Sequence, residues 1–162
     1  MKNYNQDTAN HQSEKLQFCL EHFNKIDCLY NHLIERFSEL IGDESLGELN
    51  SSIEKLVCKA KKQLELLGRI HDLLGYQPGF DRCEGLVQFL EDNFGRIQPI
   101  SSIMLRKSYL LSYLYYADSV LIASFRLLQL NVETTLSKQI CQLTAELATL
   151  AQKENSLLTT LK

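Results

Sequence analysis

The chain has only two prolines and seven glycines in 162 residues. So few breakers exclude a turn-rich architecture and leave long stretches free to be helical. There is no tryptophan, the net charge is −3 and charged residues make up 23%. That surface lacks the basic excess of a phosphate-binding footprint, which argues against a nucleic-acid partner. The five cysteines, Cys19, Cys28, Cys58, Cys83 and Cys141, include no C-x-x-C pair. An odd count without that spacing weighs against a disulfide framework or structural zinc and favours reduced core thiols in a cytoplasm. The first residues, MKNYNQDTANHQSEK, carry no apolar run. The expectation is therefore a cytoplasmic protein without a classical secretory signal, with non-classical export left open. Residues 109–130, YLLSYLYYADSVLIASFRLLQL, are long enough to cross a bilayer. Asp118 and Arg126 would each cost about 2.5–3.5 kcal/mol there, so no membrane span is expected.

What is present is helical periodicity. Residues 1–8 read as a flexible tail and 9–162 as one domain. A first helix is predicted over 10–41, where Leu16, Phe23, Tyr30 and Phe37 recur in a heptad step and Cys19, Ile26, Leu33 and Leu40 follow it. Gly42 stops it, and Asp43 or Ser45 can cap the next. A second helix ends near Leu74, with Leu46, Ile53, Ala60 and Leu67 in one row and Gln63 interrupting the other. A short helix is predicted over 82–94 between Pro78-Gly79 and Gly95. A third long helix covers 102–130, with Asn131 as the turn residue, and a fourth covers 132–161. Short links after the first and third helices make antiparallel hairpins. The long middle connection can travel back along the assembly, leaving the second and third long helices parallel.

Residues 61–94, KKQLELLGRIHDLLGYQPGFDRCEGLVQFLEDNF, carry the most specific pattern: a helix ending at Leu-Leu-Gly, a Pro/Gly turn, Cys-Glu and a shorter helix. With Leu29-Tyr30, Ile122-Ala123-Ser124-Phe125 and LLTTL at 157–161, this resembles the YciF-like stress-protein family of ferritin-like four-helix bundles. The resemblance implies an all-α, ferritin-like four-helix bundle whose long crossover carries a short fifth helix. It also implies inward carboxylates and histidines around two metal ions. At the corresponding places this chain has Leu33, then Leu56, Cys58 and Lys59, then Asp118, then residues 148–152 without an acid. One carboxylate cannot repay the dehydration of two ions, so no metal or other cofactor is expected.

The remaining polar residues have ordinary readings. His11/Glu14 and His32/Glu35 fall at outward heptad positions and read as solvent-facing. His71 reads as half-buried near a helix C-terminus, where the dipole favours its cation. Cys58 and Cys83 lack a neighbouring histidine and read as inert thiols. Tyr109, Tyr113, Tyr115 and Tyr116 make the third long helix apolar nearly all round. The expectation is cover by the crossover plus a homodimer contact through Tyr109, Tyr113 and Tyr116. Glu154 shares a row with Ile140 and Leu147, and is expected to point inward and pair with Arg106 or Lys107. The functional expectation is a non-catalytic, stress-related bundle acting through self-association or a protein partner. Two rival readings stand beside it: a di-metal oxidase or metal store with shifted ligands, and a secreted bacterial effector or adaptor.

Overall fold

Five helices and two single-turn 3-10 segments account for nearly all of the computed structural model, which describes residues 4–153 (backbone only for 4–10). The helices are α1 (Tyr4–Leu40), α2 (Gly47–Leu74), α3 (Glu84–Phe94), α4 (Ile103–Val132) and α5 (Lys138–Lys153). The 3-10 turns are Glu44–Leu46 and Phe80–Cys83, and no strand occurs among the described residues. Residues 4–8, expected as a tail, are helical. No proline or glycine stands before Gly42, so nothing in that stretch interrupts the helix.

Among the glycines of the described residues, Gly42 (φ 90°) and Gly75 (φ 59°) have positive φ, and they end α1 and α2. A side chain at either place would clash with its own backbone, which is why glycine stops both helices. Asp43 accepts from the Ser45 amide at 2.9 Å and opens the next turn.

Cross-helix pairs set the directions. His22 meets Ser124 and His32 meets Tyr113, so α1 and α4 run antiparallel. Asp27 approaches His71 and Tyr30 bonds Gln63, so α1 and α2 are also antiparallel. It follows that α2 and α4 run the same way, as the long connection allows. Helix α1 packs on α2 and α4, and α5 closes the far side against the same two helices. Both heptad rows of α1 line the resulting core: Phe23, Tyr30 and Phe37, with Cys19, Ile26, Leu33 and Leu40. Leu16 of the first row is exposed.

The crossover alters the outward face of α1. Helix α3 lies on both α1 and α4, and the Phe80–Cys83 turn also packs on α1. His32 is therefore 3% exposed rather than solvent-facing, whereas His11, Glu14 and Glu35 are exposed as expected. A heptad count registers contact with the neighbours of a regular bundle and cannot register a short helix laid across its outside.

The α4–α5 turn also lies later than expected. Asn131 stays helical and bonds the Leu127 carbonyl at 2.8 Å, and the chain turns over 133–137. Burial of Val132 carries the helix onward, and the Thr134 and Thr135 hydroxyls then take up the Asn131 carbonyl. This shift removes the register argument that placed Arg106 and Lys107 opposite Glu154. Arg106 instead binds Asp43 at 2.8 Å and also Ser45, and Lys107 binds Glu48 at 2.9 Å. Both cations tie the start of α4 to the α1–α2 turn. Glu154 itself lies outside the described residues.

Leu33 is fully buried, two turns before the C-terminal end of α1. Leu33→Ala is expected to cost about 2–5 kcal/mol through lost transfer energy and a residual cavity. Urea unfolding followed by far-UV circular dichroism measures it.

Candidate functional site

Helix α1 carries a second buried face, and that face is polar. Asn24, Asp27, the adjacent pair Asn31 and His32, and Arg36 recur from turn to turn, so they lie along one side of the helix. Each engages α2, α4 or the crossover, except Asn31, which supports Asp27.

At the upper end, the Asn24 side chain grips one residue of the crossover. Its Oδ1 accepts from the Gly79 amide at 2.8 Å and its Nδ2 donates to the Gly79 carbonyl at 2.9 Å. This satisfies a donor and an acceptor of backbone that no helix or sheet supplies with partners. The same Nδ2 lies 3.0 Å from the Cys83 Sγ and 4.0 Å from the Cys28 Sγ. Burial and the neighbouring Cys83 thiol push the Cys28 thiol far up, so it stays protonated.

One helical turn on, Asp27 approaches His71, with Oδ2 3.3 Å from Nε2. Asn31 donates to Asp27 Oδ1 at 2.8 Å and orients the carboxylate. The His71 ring lies 5.6 Å from that of Tyr76, the first residue beyond the Gly75 cap. His71 was expected to be half-buried; it is buried and faces a carboxylate from the neighbouring helix.

The lower cluster joins α1, α3 and α4. His32 Nδ1 lies 2.6 Å from the Tyr113 hydroxyl, and Nε2 lies 3.2 Å from Glu91 Oε1. Burial, reinforced by the Glu91 charge, keeps Tyr113 a neutral phenol, so it donates to Nδ1. The neutral imidazole then carries its hydrogen on Nε2, toward Glu91. Burial lowers the His32 pKa, and the nearby Arg36 charge adds to that, while Glu91 and Glu35 oppose it. Glu91 takes two hydrogen bonds from Arg36, at 2.5 and 2.8 Å. Burial alone would raise Glu91, but the Arg36 hydrogen bonds and charge, with His32, bring it below the usual carboxylate value. The same hydrogen bonds raise Arg36, which also binds Glu39. The Phe37, Phe94 and Tyr113 rings pack together beside the cluster, with centroids 5.6–6.2 Å apart.

The tyrosine patch expected as an interface is therefore divided. Tyr113 is 1% exposed and belongs to the internal cluster, so it cannot form a contact between copies. Tyr109 is half-buried against the core, while Tyr116 is 41% and Tyr115 63% exposed. Tyr109, Tyr113 and Tyr116 lie four and three residues apart on one side of α4, and what divides them is the cover that α1 and α3 lay over Tyr113.

At the places where the family resemblance implies metal ligands, Leu33, Leu56 and Ala148 are buried apolar core, Asp118 is buried and Cys58 is exposed. No group of three or more His, Cys, Asp or Glu side chains arranged to hold a metal ion occurs among the described residues. Nor is any described helix long and apolar enough to cross a membrane. No family model matches the chain, and no curated protein or solved structure matches it.

The electrostatics predict acid sensitivity. The folded-state pKa values of His22 and His32 lie below the ordinary 6.5, both chiefly through burial. As pH falls through about 6.5, the unfolded chain takes up protons that the folded chain does not, so stability falls. Glu91, whose folded pKa is depressed, adds a loss in the same direction at lower pH. Urea midpoints are expected to decline from pH 7 to pH 5, and His32→Asn to flatten part of that slope. Asn24→Ala is expected to cost about 1–3 kcal/mol by orphaning the Gly79 peptide groups. Amide exchange should speed up over residues 76–83 and stay unchanged in α5.

Proposed function

We propose that this protein is a non-catalytic helical scaffold that works by associating with a second copy of itself through the outer face of α4. The observation that carries the reading is the composition of that face. Tyr115, Tyr116, Ile122, Leu127 and Leu130 are exposed along it. Between Lys107 and Glu133 the helix contains two charges, Asp118, which is buried, and Arg126. Exposed apolar side chains spread along one face mark an association surface rather than the scatter of single residues normal on a monomer. Phe89 of α3 stacks edge-on to Tyr116, with centroids 5.3 Å apart, and extends the surface onto the crossover.

A second copy suits the face better than a charged partner, because the face has no cluster of charge to complement one. Two copies meeting across a two-fold axis bury aromatic and aliphatic side chains and leave Arg126 free to reach the rim. A 30-residue helix is about 45 Å long. A stripe about 10 Å wide along it gives roughly 450 Å² per partner, short of the ~800 Å² of a standard interface. Helix α3 with Phe89 would supply the rest.

The antiparallel arrangement, with α2 and α4 running the same way across a long crossover, supports a ferritin-like bundle of the YciF-like kind. The apolar residues Leu33, Leu56 and Ala148 at the ligand places support a member without that family's metal chemistry. Light scattering at high micromolar concentration is expected to show a dimer. Tyr115→Glu combined with Ile122→Glu should yield a folded monomer of unchanged helicity, since both side chains are exposed, with a melting temperature that no longer depends on concentration. A wild-type monomer at that concentration would sink the association reading. Two transition ions per chain in elemental analysis would sink the metal-free one.

A further inference from the structure

Cys28 and Cys83 are separated by the last third of α1, all of α2 and the first part of the crossover, yet their side chains converge on Asn24. Both sulfurs lie within reach of the single Asn24 amide nitrogen, at 4.0 Å for Cys28 and 3.0 Å for Cys83. Cys28 and Cys83 are 1% and 4% exposed. Neither has a role in the association surface, and the inference does not rest on it. We propose that Cys28 and Cys83 are a dithiol modification site, closed to an intramolecular disulfide by exchange with a low-molecular-weight disulfide, which locks the crossover onto α1.

The local structure orders the two steps. Phe80–Cys83 is a single 3-10 turn in which Cys83 is the one buried residue, and Phe80 is 59% exposed. On its N-terminal side the turn follows the non-helical residues 76–79. A segment anchored by so little apolar burial opens more readily than α1, whose residues around Cys28 are core. Cys83 is therefore the thiol that reaches solvent first. Its thiolate attacks one sulfur of the small disulfide RSSR, which forms a Cys83–SR bond and releases RS⁻, protonated by water. When the turn closes, Cys28 sulfur attacks Cys83 sulfur, the Cys83–SR bond breaks, and the Cys28 proton leaves with the second thiol. The sum is two protein thiols plus RSSR giving one protein disulfide plus two RSH. Cys28, held in the core-facing helix while Cys83 opens to solvent, serves as the resolving thiol, and it gives its proton to the departing thiolate as it attacks. Asn24 aligns the pair by holding Gly79 and donating to the Cys83 sulfur.

Incubation of the full native chain with oxidised glutathione tests the site. The expected product has lost two hydrogens, and its non-reduced peptide map joins Cys28 to Cys83. Cys28→Ser should arrest the reaction with glutathione on Cys83, and Cys83→Ser should leave Cys28 unmodified. Oxidation should slow amide exchange over residues 76–94 by about tenfold, with dithiothreitol reversing it. The exposed Cys58 serves as an internal control for access to reagent. The proposal is overturned if Cys58 reacts while Cys28 and Cys83 stay reduced. It is equally overturned if wild type keeps glutathione on Cys83 without closing, or if the disulfide forms only in urea. Should Cys28→Ser fold poorly, Cys28→Ala, compared at matched helicity, gives the same readout.

Discussion

The rest of the structure depends on a polar face of α1 being taken out of water. Helices α2 and α4 bury the apolar rows of α1, and the crossover then buries much of what a regular bundle would leave wet. Desolvating an unpaired amide or imidazole costs more than a hydrogen bond between exposed groups returns. The hydrogen bonds of Asn24 to Gly79 and of His32 to Tyr113 offset that cost, and Asp27 and Glu91 set carboxylates 3.3 and 3.2 Å from the His71 and His32 rings. Because the bonds of Asn24 to Gly79 and of Arg36 to Glu91 are directional, the crossover has one position along α1. An apolar groove would have allowed it to slide.

Charge is arranged to suit that burial. Burial favours neutral His22 and His32 and a phenolic Tyr113, and the ion pair of Arg36 with Glu91 sits at the edge, where both groups keep some contact with solvent. Glu91 thus compensates Arg36 electrostatically and His32 geometrically. A second tie at the same end of the molecule uses the same logic. Arg106 and Lys107 bind Asp43 and Glu48 across the α1–α2 turn, and Asp43 is held down to about 2 by the Ser45 and Arg106 hydrogen bonds.

Helix α4 inverts this pattern. Where α1 has a polar side turned inward under cover, α4 has an apolar side turned outward. The crossover covers only the strip near Tyr116 and Phe89, because α3 has eleven residues and α4 has thirty. An element about one third as long cannot cap the whole helix, and Tyr115 and Ile122 are left exposed.

The number and extent of the helices were legible in the chain itself, because breakers are few and the heptad rows of Phe23, Tyr30 and Phe37 are local facts of spacing. Gly42 and Gly75 were legible as stops for the same reason: a left-handed residue is a property of the backbone at that position. The later α4–α5 turn was not, since burial of Val132 outweighed the local preference of Asn131. The polar site was hidden for a related reason. Asn24, His32, Glu91 and Tyr113 are far apart in sequence, and each looks like an ordinary surface or interface residue until α3 is laid across α1 and α4. Periodicity reports which side of a helix is apolar, and it carries no information about a segment that crosses the outside of the bundle. The sequence by itself therefore determined five helices and their apolar rows. Only the tertiary structure decided which polar residues are buried, and it did so because partners for a desolvated polar group come from wherever the chain returns.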